Sequence, residues 1–169
     1  TGEGGLPGTQ QFILEDVPRE LALYGPQTAF FSTNDGMQEP LIKAIFDAKK
    51  GYFVEQSTPA PTNGYPAALG ISIPPDKAGD MGWISAENKR VIAEHGMSGH
   101  FGTWGQSVNM VSTRAIANLL IDAVGMGIDV RDSATVHRYI ETEAGGPVRI
   151  QRYDPDGNHW LVLMEHVIY

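Results

Sequence analysis

The chain predicts an α/β fold, and three observations carry that reading. Apolar runs of strand length at 28–32 and 52–56 alternate with stretches whose apolar residues recur every three to four positions. The first run passes through a polar pair, Asn34-Asp35, straight into a helical pattern. The C-terminal part alternates apolar and polar residues on either side of a turn signal. The resulting order, β-α-β-β-α and then two strands, is that of an α/β domain.

Taken in order, 1–8 is rich in Gly and Pro and reads as a loop. Thr9 is a candidate cap for a helix over 10–24, with Phe12, Ile13, Val17, Leu21 and Tyr24 on one face. Pro18 inside that pattern removes a backbone donor and predicts a kink or break. Gly25-Pro26 ends it. The strand at 28–32 leads into a helix over about 36–50, whose Leu41, Ile42, Ile45 and Phe46 face the sheet. Pro40 falls in its first turn, Lys49 and Lys50 in its last, and Gly51 stops it. A second strand covers 52–56 and a Pro/Thr/Asn-rich loop 57–66.

The apolar run 67–73 reads as a third strand, closed by Pro74-Pro75. A helix follows over 85–94 with Ser85 as N-cap, and then a Gly/aromatic loop over 95–105. A long helix over 107–124 has Val108, Val111, Ile116, Leu119, Leu120 and Val124 on its inner side. The pattern at 136–141 fits a strand or a short helix. The segment 148–153, the turn 154–158 and the run 160–169 form a hairpin. The domain reading is a ligand-binding α/β lobe at 1–135 and a terminal hairpin with return strands at 136–169.

Composition narrows the function. The 169 residues suffice for one domain with a real core. Acidic residues outnumber basic ones 20 to 12, and the net charge of -8 repels phosphate backbones, which argues against a nucleic-acid partner. The absence of cysteine excludes disulfides and thiolate metal sites. No apolar run approaches the roughly 18 residues of a membrane span. The chain opens on Thr1-Gly2-Glu3-Gly4 without an initiator Met. We read it as part of a longer protein whose targeting segment lies upstream.

The strand-to-helix turn at Asn34-Asp35 is the principal candidate site. Open α/β sheets bind small ligands at the carboxyl ends of their strands, where turns of this kind present polar side chains and free backbone N–H groups. An Asp there accepts hydrogen bonds from ligand hydroxyl or amine groups, and Asn both donates and accepts. Capping of the following helix is the competing use of Asp35. Gln38, near the helix start, and Gln56, ending the second strand, are further candidates. His100 and Trp104, from the Gly/aromatic loop, could line a pocket, with Trp104 as a stacking platform or as a lid on the core.

No two-histidine zinc spacing, phosphate-binding Gly-rich motif or Gly-x-Ser-x-Gly elbow is present. Glu55, Asp80, Glu94 and Asp122 show no acid/base spacing. Neither a catalytic residue, a cofactor nor a metal is assigned, and an α/β enzyme is retained only as a third reading.

The run Phe30-Phe31-Ser32-Thr33-Asn34-Asp35-Gly36-Met37, with Lys43-Ala44 after it, resembles the type I periplasmic solute-binding proteins. That superfamily includes the effector domains of LacI-type repressors. With 10–18, 29–44 and 65–71, the chain is similar to a bacterial family of solute-binding-like lipoproteins. The resemblance implies a Rossmann-like three-layer sandwich, the C-terminal lobe of a two-lobed protein whose N-terminal lobe is missing here. It further implies an extracytoplasmic, lipid-anchored protein that captures a small polar ligand for an ABC permease or a sensor. A LacI-like effector-binding domain is the alternative.

Overall fold

The computed structural model describes residues 4–55, 58–154, 156 and 160–169. The order is α1 (Gly5–Tyr24), β1 (Ala29–Phe30), α2 (Gln38–Ala48), β2 (Tyr52–Phe53), α3 (Tyr65–Ala68), α4 (Met81–Glu94) and β3 (Gly102–Trp104). They are followed by α5 (Val108–Met126), α6 (Ser133–Ala144), β4 (Arg149–Arg152), β5 (Trp160–Leu163) and β6 (His166–Ile168). The chain forms two compact units, residues 1–105 with 166–169, and residues 106–165. The unit boundary thus lies at 105/106, whereas position 135/136 falls inside α6.

In the first unit β1 and β2 are parallel, with Ala29 opposite Tyr52 and Phe30 opposite Phe53. Phe53 also bridges Phe101 in parallel, and β3 pairs antiparallel with β6. The ladder extends beyond the short strands, through Tyr52 N–H to Thr28 O at 2.9 Å and Val54 N–H to Phe30 O at 2.9 Å. Phe53, Phe101 and Tyr169 are buried with Leu41, Ile42 and Ile45 of α2, Tyr65 of α3 and Ile92 of α4. Tyr65 anchors this core. Its ring meets Phe53 and Tyr169 edge-on at 5.9 and 5.1 Å, and its hydroxyl donates to Gly102 O at 2.7 Å.

Several boundaries differ from the sequence reading, each for a local reason. Helix α1 begins at Gly5, and Thr9 is no cap, because its hydroxyl bonds back to Gly5 O one turn earlier. Pro18 lies within a continuous α1, whose buried side is Val17 and Leu21, while Phe12 and Tyr24 are exposed. Helix α2 stops at Ala48 because Lys49 turns left-handed at φ 51°, so both lysines lie beyond the helix. The expected third strand at 67–73 is instead the short helix α3 and a turn. Gly64 enters at φ 74°, Pro66 pre-sets helical φ in the first turn, and Leu69 N–H bonds Tyr65 O at 2.9 Å. Helix α4 starts four residues before Ser85, because Asp80 accepts from Trp83 N–H at 3.0 Å.

The second unit holds α5, α6 and the expected hairpin, with Arg149 opposite Leu163 and Arg152 opposite Trp160. Asp132 caps α6 by accepting from Thr135 N–H at 3.0 Å, which resolves 136–141 as helix. Helix α5 buries Val111, Ala115 and Leu119. Ile116, Leu120 and Val124, expected on its inner side, are exposed. The last strand of the expected hairpin splits at Met164-Glu165, and its end, β6, belongs to the first unit.

Candidate functional site at the strand carboxyl ends

The parallel strands β1 and β2 and the bridged start of β3 run the same way, so 32–35, 55 and 104 lie at one end of the sheet and 51 and 100 at the other. At the first end the chain leaves β1 and tightens into one 3-10 turn, Asp35–Met37, before α2. Asn34 is the cap of that turn: its Oδ1 accepts from Gly36 N–H at 2.9 Å, and its carbonyl accepts from Met37 N–H at 3.0 Å. Gln38 N–H in turn bonds Asp35 O. These backbone donors are therefore satisfied internally, against the expectation of free N–H groups. What the turn offers outward are the Asp35 carboxylate, an acceptor, and the Asn34 Nδ2 amide, a donor, since Asn34 Oδ1 is taken by Gly36 N–H.

Asp35 is exposed and is not the cap. Its Oδ1 accepts from Thr58 Oγ1 at 2.5 Å, and Asn63 Nδ2 donates to Thr58 O at 2.6 Å. The loop after β2 is thereby fastened to the turn after β1. Gly64, at the end of that loop, allows the close approach: a Cβ there would sit 2.8 Å from Glu39 N and 2.9 Å from Gln38 Cβ. Gln38 is only 1 % exposed, and its Nε2 has no hydrogen-bond partner. It lies beneath the turn, not on its open side. Gln56 lies outside the described residues.

Trp104 lies at the same end. Its indole N–H donates to Glu55 Oε2 at 2.8 Å, and the other oxygen of Glu55 contacts Nδ1 of His166, the register partner of Trp104. Gly102 lies under this cluster, since a Cβ there would be 3.4 Å from His166 Cε1 and 3.7 Å from Glu55 Cγ. Trp104 is half-buried, and its one polar atom is committed to Glu55. Glu55 and His166 are the residues that sequence reasoning missed. Their partners are distant in the chain, so no local spacing signals them.

His100 does not share this edge. Its Nδ1 is 2.7 Å from Gly51 O, and its ring stacks on Tyr52 at 4.4 Å, both at the amino end of β2. Four residue steps separate it from Trp104, about 13 Å along a strand. His95 is similarly committed, 3.0 Å from Phe46 O and stacked on the Phe46 ring at 3.9 Å.

Beside the turn, Ile13, Asp16, Val17, Phe30, Phe31, Ser32, Met37 and Leu41 line a depression of about 150 Å³. Pockets that enclose a small molecule run to about 300–1,000 Å³, so this hollow is too small to enclose one by itself. Among the described residues, no group of three or more His, Asp or Glu is placed to hold a metal ion, and no helix is long and apolar enough to cross a membrane.

Sheet and edge together define an α/β protein with an open polar rim at the strand carboxyl ends. Residues 1–102 match the family described as protein of unknown function (DUF3798), and the chain belongs to that family. No curated protein matches it. The crystal structure of a "Putative transcriptional regulator" from Clostridium difficile 630 is similar, with TM-score 0.80 at 22% identity. The match covers 100% of this chain and 48% of that one. At this identity the likeness is one of fold, and the present chain spans about half the length of the solved one.

Proposed function

We propose that this chain is the ligand-capturing part of a two-lobed solute-binding or effector-sensing protein, built on the Rossmann-like sandwich of the type I periplasmic binding proteins. The observation that carries this reading is the exposed Asn34–Asp35 turn at the carboxyl end of β1, fastened to the next loop through Thr58. A turn whose named backbone donors are consumed, and whose charged outward group is the Asp35 carboxylate, suits a ligand with hydroxyl or amine donors, with Asn34 Nδ2 able to donate to a hydroxyl oxygen beside them. Glu55 adds a second carboxylate at the same sheet end, and none of the rim residues named above is Lys or Arg. Anionic ligands are disfavoured there, in keeping with the net charge of -8.

Asn34 and Asp35 are the proposed contacts, with Trp104 and Glu55 as a flanking wall. Gln38 supports the turn from below. The ligand closes between this rim and a second lobe by hinge motion. In the solute-binding form the protein is extracytoplasmic, held by a lipid anchor, and hands its ligand to an ABC permease or a sensor. The regulatory form, an effector domain joined to a DNA-binding segment, is favoured by the name that the C. difficile protein carries. Fold does not choose between them.

Mass spectrometry of small molecules that co-purify with the native protein tests the shared part. A hydroxyl- or amine-bearing ligand whose affinity falls in Asp35→Ala supports it. An affinity unchanged by that substitution overturns it.

A further inference from the structure

We propose that the apolar stripe Ile116–Leu120–Val124 on α5 is the docking face for a further α/β portion of the same polypeptide, outside residues 1–169. The inference deepens the two-lobed part of the reading above and is independent of its ligand. Helix α5 has two apolar sides. Val111, Ala115 and Leu119 form the buried one, within a unit where α5 is bolted to α6 by Tyr139 Oη donating to Asp122 at 2.6 Å and Asn118 to Glu143 at 2.6 Å. At 100° per residue, Thr113, Ile116, Ala117, Leu120, Ile121 and Val124 share the other sector. None of these six is charged. Ile116, Leu120, Ile121 and Val124 are 49, 53, 68 and 90 % exposed.

A helix side that faces water carries charged residues, and a helix apolar all round is a buried one. The sixty residues of this unit are too few to cover both sides of α5, because small bodies bury a low fraction of their apolar surface. Trp160, Leu161 and Leu163 of the hairpin are exposed as well.

The occupant follows from length and charge. The C. difficile chain, which matches this one from end to end, contains more than as much again in one polypeptide. A tethered portion of that size binds at a high effective concentration without needing a strong interface. A second copy is the poorer occupant, since it brings another net charge of -8 to the same surface.

Residues 1–169 contain no cysteine, and the unsubstituted gene product, labelled in parallel, sets the background from the rest of the polypeptide. Val124→Cys and Leu120→Cys are introduced singly into the natural gene product that carries this chain. Arg131→Cys, at a side chain 89% exposed, serves as reference. Ligand-free labelling with a thiol reagent is expected to be at least about tenfold slower at 120 and 124 than at 131, whatever the protein concentration. Equal rates overturn the proposal. Slowing that disappears on dilution assigns the face to a second copy and overturns it too. A folding failure of one cysteine variant leaves the other, checked by its urea midpoint, to give the answer. Repeating the labelling on Asp35→Ala separates the two claims: retained ligand with protected thiols overturns only the ligand site, whereas lost ligand with reactive thiols overturns only the docking face.

Discussion

Asp35 and Asn34 divide a task that either could have performed. The capping falls to Asn34, because its Oδ1 reaches Gly36 N–H two residues on, and this frees the Asp35 carboxylate to meet Thr58. Replacing Asp35 by Ala should therefore weaken ligand binding by about tenfold or more, the loss of one charge-assisted hydrogen bond, with little change in the urea midpoint. The buried tyrosines make a different prediction. Burial, with the neighbouring Tyr169 adding, holds the Tyr65 hydroxyl well above its ordinary value of 10.0. Burial also raises Tyr169, against the opposing bonds to Ser85 and Asn88. The folded state thus holds these protons more tightly than the unfolded state. Their contribution is intact below pH 10 and is lost as pH rises above it. Urea midpoints followed from pH 9 upward, in steps of about one unit, should fall less steeply in Tyr65→Phe than in the parent. Near pH 7 that variant should cost about 1 kcal/mol for the bond to Gly102 O.

Short strands and displaced helix ends show where local pattern and local chemistry part company. The run 67–73 has strand length and apolar content, but Gly64 and Pro66 start a helical turn there, and periodicity alone does not separate the two outcomes. Helix α4 begins where Asp80 can receive Trp83 N–H, not where the more familiar Ser85 stands. Ser85 Oγ instead accepts from the Tyr169 hydroxyl at 3.1 Å. Asp80→Ala should lower the melting temperature, with the decrement shrinking in acid. The Trp83 N–H, then Lys77, hold the carboxyl below its ordinary 3.8, so its contribution is present above that value and lost as pH falls through it. At the end of α2, Lys49 occupies a left-handed conformation that favours glycine. Lys49→Gly should stabilise the chain by about 0.5–1 kcal/mol in urea titrations, and a destabilisation there would show that the lysine side chain matters more than its backbone.

The molecule as a whole depends on a return that no short window contains. The chain leaves its first unit after β3, builds α5, α6 and a hairpin, and comes back to pair β6 beside β3 and bury Tyr169 against Tyr65. Removing 166–169 should abolish the cooperative unfolding of the first unit by near-UV circular dichroism, while the far-UV helix signal is largely kept. An unchanged transition would show that the sheet is complete without β6. The amino-acid order alone determined the α/β class, the β1-turn-α2 passage, the buried face of α2 and the terminal hairpin, because these rest on interactions within a few residues or on one amphipathic period. Only the tertiary structure decided that Glu55, Trp104 and His166 meet, that His100 lies at the opposite end of the sheet, and that one apolar side of α5 is left open. Those outcomes depend on which strand pairs with which and on what packs over each helix, and neither leaves a trace in the spacing of the residues concerned.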